Sequence, residues 1–485
     1  MKILLINPPS FGAAKAPGFH ALTTLPHIYA PPMGLMYLKS YLKRDSDFEV
    51  RMWNAQVPYP PGWDELALLC GQYQPGLVGI TVMSLYWYDA LEAARLVRKN
   101  LPSAHIVLGG PHVSLYPEES LTQPEIDSVV IGEGEQTLFE LARRLSKKES
   151  LEGVNGVWYK QKGTVVRNSP GEIERNLDLL PFPDHSDFDP SQYVLLVDRL
   201  APAVVILSSR SCPFQCTFCY ELNKHYRARS PENVIEEILT FKGLGYRSID
   251  FYDDVFNVTK SRAMAISKAL LKSNVSMPWS CRCRVDPVDE EMVAAMAESG
   301  CKRISYGIES SDPQILAQVK KNITPEQTVK AVKLCRKYRI DTLGLFMIGF
   351  PGETLTQAEN TVKFALDLDL DFFLLSILMP SPGSEIYQQA VLDPKFGGDY
   401  LREFSRNPTR DFKIKIRETA IPEKQLHHLM NRAFLKFYLR PRHLFKSILK
   451  LASFEDLKIK CKAALIIGCR ILASSRPSKL KNPVC

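Results

Sequence analysis

At 485 residues the chain is too long for one ordinary domain, and its 45% apolar and 24% charged residues are the balance of a soluble globular protein of two or three domains. Neither a secretory leader nor a membrane span is expected: Ile3-Leu4-Leu5-Ile6 runs straight into Asn7-Pro8-Pro9, and Ala463-Ala464-Leu465-Ile466-Ile467-Gly468-Cys469 falls far short of the roughly 20 residues a span needs. Eleven cysteines in such a chain fit a reducing cytoplasm and metal ligation better than a disulfide scaffold.

Residues 1–147 alternate strand-like and helix-like runs, with strands expected near 2–6, 48–52, 77–82, 104–108 and 128–131 and helices near 33–44, 63–73, 88–99 and 135–147. That rhythm predicts an α/β fold with a doubly wound parallel sheet. Ligands of such sheets sit at the carboxyl ends of the strands, where this chain places Asn7-Pro8-Pro9-Ser10, Met83-Ser84, Gly109-Gly110-Pro111-His112 and Gly132-Glu133-Gly134-Glu135. Any one of these reads better as a plain tight βα turn, but four along one edge favour a ligand crevice. No GxGxxG or GxxxxGK[ST] fingerprint marks it as nucleotide-binding.

Residues 148–200 read as a linker, with a hairpin over 156–166 followed by the proline-rich Leu180-Pro181-Phe182-Pro183-Asp184. From 201 to 390 the βα rhythm returns with strands expected near 203–208, 248–252, 279–283, 303–308, 342–348 and 372–378, an incomplete parallel barrel of six units. Ser230-Pro231 starts one of its helices as N-cap and N1, and Gly243 and Gly245 end it.

Directly after the first of these strands stands Ser211-Cys212-Pro213-Phe214-Gln215-Cys216-Thr217-Phe218-Cys219. Pro213 argues against a helix through the triplet, and a looped backbone lets three sulfurs gather. Three local thiolates suit an iron–sulfur cubane, whose fourth iron is then held from afar or left open for a substrate. Zinc signatures usually come as paired couples, and Cys212 and Cys216 have no matching second pair. Cys281, Cys283, Cys301 and Cys335 read as core residues.

The C-x3-C-x-aromatic-C loop resembles that of the radical S-adenosylmethionine (SAM) enzymes. Further along, Tyr226-Arg227-Ala228-Arg229-Ser230-Pro231, Ile249-Asp250-Phe251-Tyr252-Asp253-Asp254, Gly307-Ile308-Glu309-Ser310, Phe346-Met347-Ile348-Gly349-Phe350-Pro351-Gly352-Glu353 and Met379-Pro380-Ser381-Pro382-Gly383-Ser384 are similar to segments of their cobalamin-binding branch, in the same order. The resemblance implies a Rossmann-like cobalamin-binding domain over 1–147 and a partial (β/α)6 TIM-type radical SAM barrel over 201–390. It implies a [4Fe-4S] cluster on Cys212, Cys216 and Cys219 with Phe218 beside it. SAM would present its amino end to Asp253 or Asp254 and its ribose or methionine part to Glu309 and Ser310. Its adenine would meet Ile348 and Met379, with Gly349 at the same strand end. Arg227 and Arg229 are equally suited to pair with acidic surface residues. Cobalamin would lie along Pro8, Pro9, Ser10, Gly109, Gly110, His112, Gly132 and Glu133. The D-x-H-x-x-G motif of cobalamin mutases is absent, so cobalamin is expected with its lower axial position unfilled by such a histidine, unless the domain has lost the cofactor.

Residues 391–485 are expected to be mostly helical. Within them, 401–485 hold 20 Lys/Arg against 6 Asp/Glu, a net +14 in a chain whose total is +8. Leu426, Leu429, Met430, Ala433, Phe434, Phe437 and Tyr438 follow helical spacing, as do Leu444, Phe445, Ile448 and Leu449. Most such stripes pack on their own domain, but a basic face opposite bulky apolar residues also suits an anionic membrane surface. No nucleic-acid module accompanies the charge, and nucleic acid is ranked last. The expectation is therefore a cytoplasmic enzyme, with peripheral contact at the inner membrane face as one reading of the tail. It would be a cobalamin-dependent methyltransferase acting on an unactivated carbon of a small molecule or lipid and served by an external flavodoxin- or ferredoxin-type electron donor. A non-methylating radical cyclisation or oxidation, or a cofactor sensor without turnover, are the alternatives.

Overall fold

The computed structural model describes residues 1–9, 31–44, 46–57, 60–189, 202–220, 225–415 and 419–441. The first sheet comprises β1 (Lys2–Asn7), β2 (Glu49–Asn54), β3 (Leu77–Thr81), β4 (His105–Gly109), β5 (Ser128–Val130), β6 (Val157–Gln161) and β7 (Thr164–Arg167), in the order β2-β1-β3-β4-β5-β6-β7. The first five strands are parallel. Helices cover both faces, which is why β1 reads as an unbroken apolar run rather than an alternation. Leu4, Ile6, Val78, Ile80, Ile106 and Leu108 pack on the side of helix Trp87–Asn100. Ile3, Leu5, Leu77 and Val107 pack towards helices Met33–Arg44 and Glu135–Ser146. The chain reverses its winding between β1 and β3, which opens a crevice above Asn7-Pro8-Pro9 and Val82-Met83.

The hairpin expected in the linker instead belongs to this sheet. β6 runs antiparallel to β5, and Lys162 and Gly163, both at positive φ, turn the chain into β7. The edge of β5 would otherwise present unpaired backbone groups, and Val157 and Tyr159 become buried in covering it.

The second sheet is parallel throughout: β8 (Ala203–Ile206), then β11 (Ser248–Phe251), β12 (Trp279–Cys283), β13 (Cys301–Glu309), β14 (Asp341–Ile348) and β15 (Phe372–Ile377), adjacent in chain order. This is the open six-stranded barrel. Its helices start on side-chain caps: Ser230 accepts from the Asn233 amide ahead of Pro231, and Thr324/Gln327 and Thr354/Gln357 form reciprocal capping boxes. Along β14, Thr342, Gly344, Phe346 and Ile348 are buried while Leu343, Leu345 and Met347 alternate with them on the half-open inner face.

The C-terminal region is helical where it is described, and its helices pack onto both domains. Helix Tyr400–Arg406 returns to the first domain and completes its core beside Trp87 and Tyr116. The Trp87 indole donates to the Ser405 carbonyl at 3.1 Å and Arg402 reaches Glu119 at 2.9 Å. Helix Glu423–Tyr438 packs along β15, burying Leu426, Leu429, Met430, Ala433 and Phe437, with the Phe437 and Phe373 rings stacked 5.0 Å apart. Each such side chain contributes about 1.5–3 kcal/mol by leaving water, so the first tail stripe is core rather than membrane surface. The second stripe, Leu444 to Leu449, lies outside the described residues. Among those that are described, no helix is long and apolar enough to cross a membrane.

Candidate active site

The cysteine loop hangs from a two-residue ribbon in which β9 (Ser209–Arg210) pairs antiparallel with β10 (Arg227–Ala228). Ser211, at φ 67°, turns the chain out of β9. The loop is pinned across the barrel mouth: the Thr217 amide donates to the Val319 carbonyl at 3.1 Å, and the Thr217 carbonyl accepts from the Ile386 amide at 3.0 Å. Phe218 packs among Ile315, Phe350 and Leu378. Cys212 and Cys216 are half-buried and Cys219 reaches the surface, none of the three in a disulfide. Desolvation by surrounding protein, then the negative charge of Cys216, pushes the Cys219 thiol up to about 12, with Cys212 acting in the same sense. Among the described residues no three His, Cys, Asp or Glu converge tightly enough to share one metal ion. A cubane distributes its cysteines over separate irons, so three soft donors gathered but not converging suit it.

Beneath the loop sits a buried charged floor. Glu309, held at φ 66° by a bulge against β14, accepts from Lys321 Nζ at 2.9 Å. A Cβ on Gly307 would lie 2.7 Å from Glu309 Oε1 and 2.9 Å from Lys321 Nζ, so a larger residue there would make the charged ends shift. Burial pulls the Lys321 ammonium down, but Glu309 and Cys216 together hold it above its ordinary value. Arg284 donates to the Lys321 carbonyl at 2.6 Å and to Asp286 at 2.8 Å, and its guanidinium lies 3.8 Å from the Phe214 ring centre. Burial raises the Cys216 thiol, whereas Lys321 and Arg284 favour its thiolate. Sequence reasoning missed both cations. For Arg284 a signal existed, since alternation along Ser280-Cys281-Arg282-Cys283-Arg284 sets it opposite the two buried cysteines. Lys321 follows a short helix and carries no such signal.

The remaining expected SAM contacts divide. Asp253 is buried and committed to the chain: Oδ1 accepts from the Ser208 and Ser209 amides at 2.7 and 2.9 Å, and Oδ2 from the Ser208 hydroxyl at 2.5 Å. It braces the strand that feeds the cluster loop, which leaves the exposed Asp254 as the acid open to a ligand's amino end. Burial lifts the Asp253 carboxyl to about 6 against those hydrogen bonds. Ser310 is likewise turned inward, 3.1 Å from Thr361 Oγ1. Ile348 is buried at the end of β14, Gly349 follows at φ 86°, and Met379 is half-buried after β15. The Gly349 and Phe350 amides donate to Glu353 Oε2 at 2.5 and 3.2 Å, fixing that turn.

At the crevice edge of the first sheet, Pro8 and Pro9 are buried and Ser10 lies outside the described residues. Gly110, at φ 103°, closes on β3 so tightly that a Cβ would meet the Val82 carbonyl at 2.9 Å. Gly132, at φ 90°, donates its amide to Ser114 Oγ at 3.1 Å. His112 is fully buried, stacked 4.6 Å from Trp87 with Nδ1 3.1 Å from Ser84 Oγ, and burial lowers its imidazole to about 3. It is a neutral core residue. Glu133 is engaged with Arg210 and Arg227, and buried Arg229 pairs with Glu237.

The radical SAM superfamily model matches residues 206–365 and the B12 binding domain model matches 21–142. An uncharacterized methyltransferase from Pyrococcus horikoshii is 35% identical over 453 residues, covering 92% of this chain and 95% of that one. The chain belongs to the cobalamin-binding radical SAM enzymes. Another relative of this radical SAM enzyme is the anaerobic magnesium-protoporphyrin IX monomethyl ester cyclase of Rubrivivax gelatinosus, 27% identical over 74% of this chain and 66% of the cyclase. Its fold is shared with the radical SAM methyltransferase TsrM from Kitasatospora setae, solved with cobalamin and a [4Fe-4S] cluster, at TM-score 0.67 and 22% identity over 80% of this chain and 78% of that one. The cofactors of this cobalamin-binding radical SAM enzyme are a [4Fe-4S] cluster, SAM and cobalamin. The donor set fits the first, and the edge that would receive the last is built on Gly110 and Gly132, both at positive φ.

Proposed function

We propose that the enzyme is a methyltransferase acting on an unactivated carbon of a small molecule or lipid. The observation that carries this reading is the meeting of the two strand-end edges. Glu133, on the crevice edge, pairs with Arg210, two residues before Cys212. A Cβ on Gly383, in the loop after β15, would run into both Tyr220, next to Cys219, and Leu115 of the first domain. The two strand-end edges are therefore in contact, as a relay of a methyl group past a substrate radical requires. When bound, the reduced cluster supplies the electron that splits SAM to a 5′-deoxyadenosyl radical, and cobalamin supplies a methyl carrier. The chain's own part is to hold the thiolates beside Lys321 and Arg284, to offer Asp254 to an amino group, and to line the inner wall with Leu343, Leu345, Met347 and Leu374. That wall suits an apolar carbon skeleton and excludes the water that would quench a radical.

Reconstituted protein given SAM and a flavodoxin- or ferredoxin-type reductant should release both 5′-deoxyadenosine and S-adenosylhomocysteine. 5′-Deoxyadenosine alone would favour a non-methylating cyclisation or oxidation, a reading supported by the relation to the Rubrivivax cyclase. Neither product would leave a sensor.

A further inference from the structure

The ribbon that carries the cluster loop is self-repelling. Arg210 and Arg227 stand directly opposite each other in its antiparallel register, and like charges so placed destabilise a strand pair. Two residues per strand provide little else to hold it. The compensating charge comes from the other domain. Glu133 Oε2 accepts from Arg227 Nη1 at 3.0 Å and from Arg210 Nη1 at 3.3 Å, and Glu135 Oε1 accepts from Arg210 Nη2 at 2.6 Å. The Arg210 guanidinium also lies 5.1 Å from the ring centre of Tyr37, on helix Met33–Arg44 of the first domain. Both acids belong to Gly132-Glu133-Gly134-Glu135, where the loop after β5 on the crevice edge of the first sheet runs into helix Glu135–Ser146.

We infer that Glu133 and Glu135 are positioning residues that couple the seating of cobalamin to the order of the cluster loop. A corrin resting on the crevice edge fixes the loop after β5. The fixed loop presents its two acids to Arg210 and Arg227, and the neutralised ribbon holds Cys212 to Cys219 over the barrel mouth. Linkage makes the effect reciprocal, so a loaded cluster tightens cobalamin binding by the same factor.

The test measures hydroxocobalamin affinity on the full-length protein with and without its reconstituted cluster, without SAM or substrate. The wild type should bind about fivefold or more tightly when the cluster is present, the lower end of ordinary coupling between sites. In Glu133→Gln/Glu135→Gln the ratio should collapse to one while about four irons still load. Hydrogen exchange supplies a second readout: cobalamin should protect residues 211–220 of cluster-free wild-type protein and fail to protect them in the double variant. Glu118→Gln, which removes an exposed partner of Arg167 at the far edge of the same sheet, should behave as wild type. Equal affinities with and without the cluster in the wild type would overturn the inference whatever the variants do. A ratio preserved in the folded double variant would overturn it as well.

Discussion

Lys321→Met isolates the carboxylate of Glu309 in a site where both side chains are about one-tenth exposed. At the observed 2.9 Å the pair attracts with about 6 kcal/mol for an effective dielectric constant near 20, most of which offsets the desolvation of the two ions. Removing one partner leaves that desolvation uncompensated, so the single variant should lose about 3–5 kcal/mol. Glu309→Gln/Lys321→Met removes both charges and should lose much less than the sum of its singles, a coupling of about 2 kcal/mol or more. Gly307→Ala should cost less than either single, because the ends of Glu309 and Lys321 can shift away from its methyl group while staying paired. The assay is native-state hydrogen exchange of the β13 and β14 amides, which reads local opening in a chain too large to assume two-state unfolding. Costs that simply add in the double variant, or a loss below about 1 kcal/mol for Lys321→Met, would refute the buried-pair reasoning.

Alanine at Cys212, Cys216 and Cys219 together should abolish the roughly four irons per chain expected of a cubane; a cubane persisting in the triple variant would place the cluster elsewhere. Burial raises the Glu353 carboxyl to about 7 from 4.5, so the folded state keeps a proton that the unfolded state releases. Its stability contribution is fully present below pH 4.5 and is lost as pH rises through 7, a decline of roughly 3 kcal/mol; the opening free energy of the Gly349 and Phe350 amides from native-state hydrogen exchange should lack that slope in Glu353→Gln. The EPR spectrum of bound Co(II) cobalamin should show no nitrogen splitting and should be unchanged by His112→Ala, because that imidazole is packed beneath Trp87. Residues 442–485 hold ten Lys/Arg against two Asp/Glu, so a chain ending at 441 should keep its fold and lose salt-sensitive pelleting with anionic liposomes; undiminished pelleting would clear the tail of that role.

Most of the eleven parallel strands were legible because they are short apolar runs bounded by turn formers, and the cluster loop because its spacing is itself the signal. What escaped depends on distant partners. An aspartate reads the same whether it faces solvent or, like Asp253, takes two backbone amides and a hydroxyl. The 157–167 hairpin looked like part of a linker because nothing local reveals the vacant edge of β5. Glu309 was visible as part of a motif, but Lys321, twelve residues on, carries no periodic or capping pattern of its own. The amphipathic pattern of 426–437 was correctly seen, yet a stripe alone does not say whether β15 or a lipid surface covers it.

The closure of the first domain by helix Tyr400–Arg406 bears on how the chain acquires its structure. Trp87 waits for Ser405, 318 residues downstream, before its indole finds the carbonyl it donates to. During synthesis at about 5–20 residues per second, the apolar patch around Trp87 and Tyr116 is thus without its cover for some tens of seconds. The final step is a closure of very long sequence separation, which slows folding and prolongs exposure to aggregation. A nascent chain of this kind is a natural client for a chaperone, and severing it at residue 147 would leave that patch permanently bare.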